Sequence, residues 1–169
     1  KGKDGNDDLF VATSARIGDD VVLNLGDGRN GAFFDTGSLV GGNFAFKSKA
    51  GPDSVSFAGG AGVGGDVALT LGDGLNSIVL NPVVTVGGTF GAKMGAGNDT
   101  VAISQATLQS DVIILAGHGT NEVQCVNTSA AGSVLVKAGA GDDTIDLTGT
   151  TAPSITVDAD GGSNTLTIP

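Results

Sequence analysis

The feature that most restricts this chain is a period. A glycine followed two residues later by an acid or its amide recurs eight times, with the glycines at Gly5, Gly28, Gly51, Gly74, Gly97, Gly119, Gly141 and Gly162. The intervals between them are 23, 23, 23, 23, 22, 22 and 21 residues. A unit of this length cannot bury an apolar face by itself and has to stack on its neighbours, which makes a solenoid. The residue two places after each glycine alternates without a break: Asp7, Asn30, Asp53, Asn76, Asp99, Asn121, Asp143, Asn164.

Each loop leads into a run in which apolar residues alternate with others, as in Val55-Ser56-Phe57, Ile78-Val79-Leu80 and Val101-Ala102-Ile103. A period of two is the mark of a half-buried strand. A second such run follows at Val67-Ala68-Leu69-Thr70, Phe90-Gly91-Ala92-Lys93 and Val134-Leu135-Val136-Lys137, after a turn such as Gly64-Gly65-Asp66. An inward apolar residue ahead of that turn (Ile17, Val40, Val63, Val86, Leu108) leaves room for a short third strand. The expected fold is all-β: a single parallel β-solenoid over residues 1–169, of about 7.5 coils of 21–23 residues, with two long strands and one short one per coil.

Composition agrees with stacked coils. Thirty glycines suit many tight turns, and seven Phe as the only aromatics suit a narrow interior. Eighteen acids against eight bases give a net charge of −10, which repels phosphate backbones and anionic headgroups, so neither nucleic acid nor an anionic membrane surface is an expected partner. No apolar run is long enough to span a bilayer, and the opening Lys1-Gly2-Lys3 has no apolar leader, so any export signal has been removed or never existed. Cys125, the only cysteine, aligns with inward Leu80, Ile103 and Leu147 and reads as a core residue.

Stacking turns equivalent positions into columns. The outward column of the first strand (Phe10, Phe33, Ser56, Val79, Ala102, Gln124, Asp146, Thr167) runs from apolar to polar, and that of the second (Val22, Ala45, Ala68, Gly91, Ile113, Leu135, Thr156) is mostly apolar. Such faces suit either simple β-propensity or lateral contact. No polar cap is evident at either end of the repeat, which leads to the expectation of a piece of a longer array or of a subunit that stacks end to end.

The stretch Gly95-Ala96-Gly97-Asn98-Asp99-Thr100-Val101 resembles the calcium-binding nonapeptide of RTX proteins, and one such loop per coil resembles the layout of calcium-bound solenoids in bacterial adhesins, ice-binding ones included. The resemblance implies a right-handed coil, an extracellular or cell-surface location of bacterial type, and calcium held by loop carbonyls with the Asx column. Carried over by position, the candidate ligands are Asp7, Asn30, Asp53, Asn76, Asp99, Asn121, Asp143 and Asn164, with Asp27 and Asp73 from a neighbouring acidic column. This chain departs from the RTX pattern in its longer period, in carrying the motif at one corner only, and in replacing half of the acids by amides.

Those amides allow a second account. Carboxylates stacked about 4.8 Å apart repel, whereas Asp over Asn lets each amide donate to its neighbour, a ladder that needs no metal. Both accounts stand at this level. Asp27 and Asp73 lie in Asn coils, so the true repeat has the look of two coils. His118 replaces Asp73 and Ala96 in its column, and with no second histidine it builds neither a Ser-His-Asp arrangement nor a zinc site. The column after the Asx (Asp8, Gly31, Ser54, Ser77, Thr100, Glu122, Thr144, Thr165) is Thr-rich only towards its end, a thin basis for ice binding. The expected role is non-enzymatic: a stalk segment or self-assembling filament subunit, with a calcium-dependent adhesin or ice-binding module as the alternative and a carbohydrate-active enzyme the most remote.

Overall fold

A computed structural model describes residues 4–169; Lys1-Gly2-Lys3, the first residues of the expected domain, lie outside the described residues. The described residues contain strands and turns and no helix. They wind into a parallel β-solenoid of about seven turns, with three strands to the coil. One coil shows the pattern: a first strand at Ser54–Phe57, a two-residue strand at Gly62–Val63, and a third at Val67–Thr70.

Coil by coil these strands form three wholly parallel sheets of eight, six and seven strands, each strand paired with its equivalents in the neighbouring coils. The register is constant. Ser54 lies between Gly31 and Ser77, and Val67 lies between Phe44 and Phe90. One irregularity lies between Leu115 and Gly117; the coil loses its residue earlier, at the corner after the first strand, where Leu80 pairs with Ile103 but Thr85 pairs with Thr107.

The interior is a file of apolar layers. The inward pair of the first strand is Ala32 and Phe34, then Val55 and Phe57, Ile78 and Leu80, Val101 and Ile103, Val123 and Cys125, all buried. Alternation along a strand sends every second side chain inward, so one sequence period fixes the whole core. The widest layers hold aromatics: Phe34 stacks on Phe57 with centroids 4.4 Å apart, and Phe44 meets both rings edge-on at 4.8 and 5.7 Å. Outside, Phe10 stacks on Phe33 at 5.0 Å on the first sheet's solvent face.

Three corners close each coil. Between the first and second strands lies a left-handed position occupied in turn by Ser14, Gly37, Gly60, Val83, Gln105, Asn127 and Gly149, with φ from 50° to 74°. The second corner is the Gly-rich turn before the third strand. The third is the Gly-x-Asx loop, whose glycines hold φ between 116° and 145°.

Candidate functional site

The Gly-x-Asx loops stack so closely that from Gly28 onwards the glycine column has no room for a side chain. A methyl group at Gly97 would sit 1.7 Å from the carbonyl oxygen of Gly74, and at Gly51 it would sit 2.0 Å from that of Gly28. Positive φ recurs at all eight positions, and from Gly28 onwards lack of room adds to it, whereas at Gly5, in the first coil, the space is open and φ alone selects glycine.

Turning at that glycine carries the following Asx side chain inwards, beneath the loop. Asn30, Asp53, Asn76, Asp99, Asn121 and Asp143 are at most 2 % exposed, while Asp7 and Asn164 at the two ends of the column are half-buried. Each backbone N–H in the column donates to the Oδ1 of the Asx in the following coil. The bonds run Asp7 to Asn30, Asn30 to Asp53, Asp53 to Asn76, Asn76 to Asp99, Asp99 to Asn121, Asn121 to Asp143 and Asp143 to Asn164, at 2.8–3.3 Å. The file is unbroken. It is joined mainly through backbone donors; amide-to-carboxylate bonds reinforce it at Asn30 to Asp53 (3.0 Å) and Asn121 to Asp143 (2.9 Å).

Asp and Asn differ in what their second atom does. The Nδ2 of each Asn turns back into its own loop: Asn30 donates to the carbonyls of Gly26 and Gly28, Asn76 to Gly72, Asn121 to Gly117 and Gly119, and Asn164 to Asp160. With Oδ1 fixed in the same way, an Asp places Oδ2 where the amide would be, and there the loop offers further acceptors. The Oδ2 atoms of Asp7, Asp53, Asp99 and Asp143 are buried without a hydrogen-bond partner. Burial pushes the Asp99 carboxyl above the usual carboxylate range, and the nearby Asp73 charge acts in the same direction, against the lowering effect of hydrogen bonds from Asn76.

Asp27 and Asp73 belong to a separate, exposed column. Here the polarity reverses: the acid accepts from the following coil, Asp27 from the Ala50 N–H at 3.1 Å and Asp73 from the Ala96 N–H at 2.7 Å. His118 occupies the same role, its Nδ1 accepting from Ala140 at 3.2 Å. Lys49 lies 3.8 Å from Asp4 and 3.9 Å from Asp27. Further exposed columns use the same device. Asn6, Asn98 and Asp142 accept from Arg29, Thr120 and Ser163, and at the second corner Asp20, Asn43, Asp66 and Asp111 accept from Asn43, Asp66, Thr89 and Ser133. Sequence reasoning had not assigned these roles, although the recurrence of Asx at equal intervals in the columns was the available signal.

Comparison with protein families, with curated proteins and with solved structures returned no match. The site is therefore read from its own chemistry. Of the ten candidate ligands, eight stand in single file, one per coil, and two stand apart on the solvent side. Among the described residues no three His, Cys, Asp or Glu side chains converge as a metal cluster would require. A cation here could draw only on one Oδ2 and on backbone carbonyls, a donor set of hard oxygens that fits calcium chemically but with a single formal charge per loop. Cys125 is buried, and desolvation pushes its thiol up to about 12, which suits packing and not redox chemistry.

Proposed function

We propose that the chain is a non-enzymatic structural segment of an extracellular, bacterial-type surface protein: a rigid rod serving as a stalk or, through self-association end to end or laterally, as the subunit of a filament. The observation that carries this reading is the unbroken file of hydrogen bonds from Asp7 to Asn164. The polar side chains most suggestive of chemistry are the ones that fasten each coil to the next, so their work is cohesion along the axis. Constant register adds to this, since a module that repeats one pairing can be extended by adding coils.

Calcium stabilisation of the same rod is the second reading, and it rests on the four unpartnered aspartate Oδ2 atoms. An ion there would be held by Oδ2 and loop carbonyls and would neutralise buried charge; every other coil would be its site. Thermal unfolding and negative-stain imaging, each with and without a chelator, test both readings. Rods with the same melting temperature in EDTA support a metal-free ladder, whereas a melting temperature that falls in EDTA and recovers with added calcium supports the ion. Compact particles in place of rods would sink the structural role itself. An adhesin or ice-binding variant of that role would have its ligand on an outer face, and a thermal hysteresis assay tests the ice-binding form.

A further inference from the structure

The solvent face of the seven-stranded sheet carries three columns that run the length of the rod. One edge reads Asp20, Asn43, Asp66, Thr89, Asp111, Ser133, Ser154; the centre reads Val22, Ala45, Ala68, Gly91, Ile113, Leu135, Thr156; the other edge reads Asn24, Lys47, Thr70, Lys93, Leu115, Lys137, Asp158. All these side chains are exposed or half-buried. Numbering the coils by their third strands, starting from Val21–Asn24, the acids of the first edge stand in coils one, three and five and the lysines of the other edge in coils two, four and six. The face is thus acidic along one side, basic along the other and apolar between.

We propose that this face pairs with the same face of a second copy, with the two rods parallel and offset by one coil. This rests on the reading of the chain as a self-associating rod and specifies the surface and orientation it uses. When two such faces meet with the rods parallel, the acidic edge of one lies over the basic edge of the other on both sides. With the rods antiparallel, acid would face acid and lysine would face lysine, which charge repulsion disfavours.

The one-coil offset follows from the alternation. It sets Asp66 against Lys47, Asp111 against Lys93 and, along the opposite edge, Lys47 against Asp20, Lys93 against Asp66 and Lys137 against Asp111. The same offset seats Ile113 of one copy over Gly91 of the other, where a shallow trough of about 230 Å³ is lined by Ala68, Gly91, Ile113 and Leu115 among others. The acids keep one oxygen free for such pairing, because only their Oδ1 accepts a hydrogen bond from the next coil. The described residues give Lys47 and Lys93 no ion-pair partner, while Lys137 already meets Asp158 at 2.9 Å.

With the one-coil offset, six strands about 4.8 Å apart and about 16 Å wide face one another over roughly 460 Å². That is below the approximately 800 Å² per partner of a standard stable interface, so pairing at this length is weak and strengthens with the number of coils. Charge sets the orientation, and the apolar centre supplies what affinity there is.

Sedimentation velocity over a concentration series tests the proposal with complementary variants. The wild type should pair reversibly, and less so in high salt. Lys47→Glu with Lys93→Glu in one chain, and Asp66→Lys with Asp111→Lys in another, should each weaken self-pairing about tenfold or more, while an equimolar mixture should pair again. Recovery on mixing cannot come from misfolded chains, and melting curves of each variant check the fold separately. For orientation, Thr156→Cys and Leu135→Cys chains, each in a Cys125→Ala background, should be joined to each other on mixing by a short bifunctional thiol reagent, since the offset sets these two positions opposite one another and about 10 Å apart. Wild type that stays monomeric throughout, or folded variants that fail to pair on mixing, overturns the proposal, as does cross-linking of Thr156→Cys to Val22→Cys in preference to Leu135→Cys. Negative-stain images keep the two levels apart. Loss of side-by-side pairing with single rods or end-to-end strings intact removes this interface alone, whereas loss of rods altogether removes the structural role.

Discussion

At the scale of single residues, the Asx file holds two chemically different members in one geometry. Asn closes its own loop with Nδ2 and receives the neighbouring coil with Oδ1, whereas Asp does only the second. Asp99→Asn is therefore expected to stabilise the fold at neutral pH by about 1 kcal/mol, by supplying the donor that the loop carbonyls lack. The pH dependence gives an independent reading. Because the native carboxyl of Asp99 titrates above 3.8, the folded chain binds the more protons between that value and its raised native one. Its contribution to stability is fully present below pH 3.8 and is lost as pH rises through the native value, so wild type should gain stability from this residue on mild acidification. The Asn variant should lack that gain in paired melting curves. Asp35 and Asp146 act the other way: Thr13 and Thr148 hold their carboxyls low, and that support is lost as pH falls through their native values, but both are exposed and the effect is small. The glycine beside the Asx is less forgiving. Gly97→Ala must place its methyl group 1.7 Å from the Gly74 carbonyl at φ +145°, so a loss of about 3 kcal/mol or more is expected in denaturant titration.

At the scale of elements, the left-handed corner after each first strand shows where a repeat tolerates mismatch. Glycine fills it in three coils, and Val83 fills it in one with φ 69°, an unfavourable setting for a β-branched residue. Its side chain is 68 % exposed, so little packing is at stake. Val83→Gly is expected to raise stability by about 1 kcal/mol, measured by chemical denaturation; a decrease would mean that the valine makes contacts worth more than the strain. This corner also marks the limit of what the sequence revealed. Strands were legible because alternation of apolar residues is a direct imprint of one buried face, and the short second strand was legible from Ile17, Val40, Val63, Val86 and Leu108. The corner was not, because Ser, Gly, Val, Gln and Asn share no property that points to positive φ. The Asx column is plain in the sequence, but its burial is not, because the turn made by the preceding glycine is what sends it inwards. The amide-to-carboxylate ladder was foreseen in part: Asn30 and Asn121 make it, yet the common link is a backbone N–H, which sequence alone does not display.

At the scale of the whole molecule, three columns repeat every second coil: acid and amide in the buried file, acids at the second corner, and lysines at the end of the third sheet. The consequence is a rule of parity for any change in length. Removing residues 54–76 would splice one coil out and set Asp53 directly against Asp99, two buried carboxylates in contact. Removing residues 54–99 would take out two coils and set Asp53 against Asn121, restoring the native sequence of contacts. The shorter of these two products is expected to melt at the higher temperature, the reverse of what loss of core alone would give, and calorimetry on the pair decides it. A change of length that brings Asp against Asp is the one the buried file resists, and duplication of an Asp coil together with its Asn neighbour avoids it, so the natural unit of growth is the pair of coils.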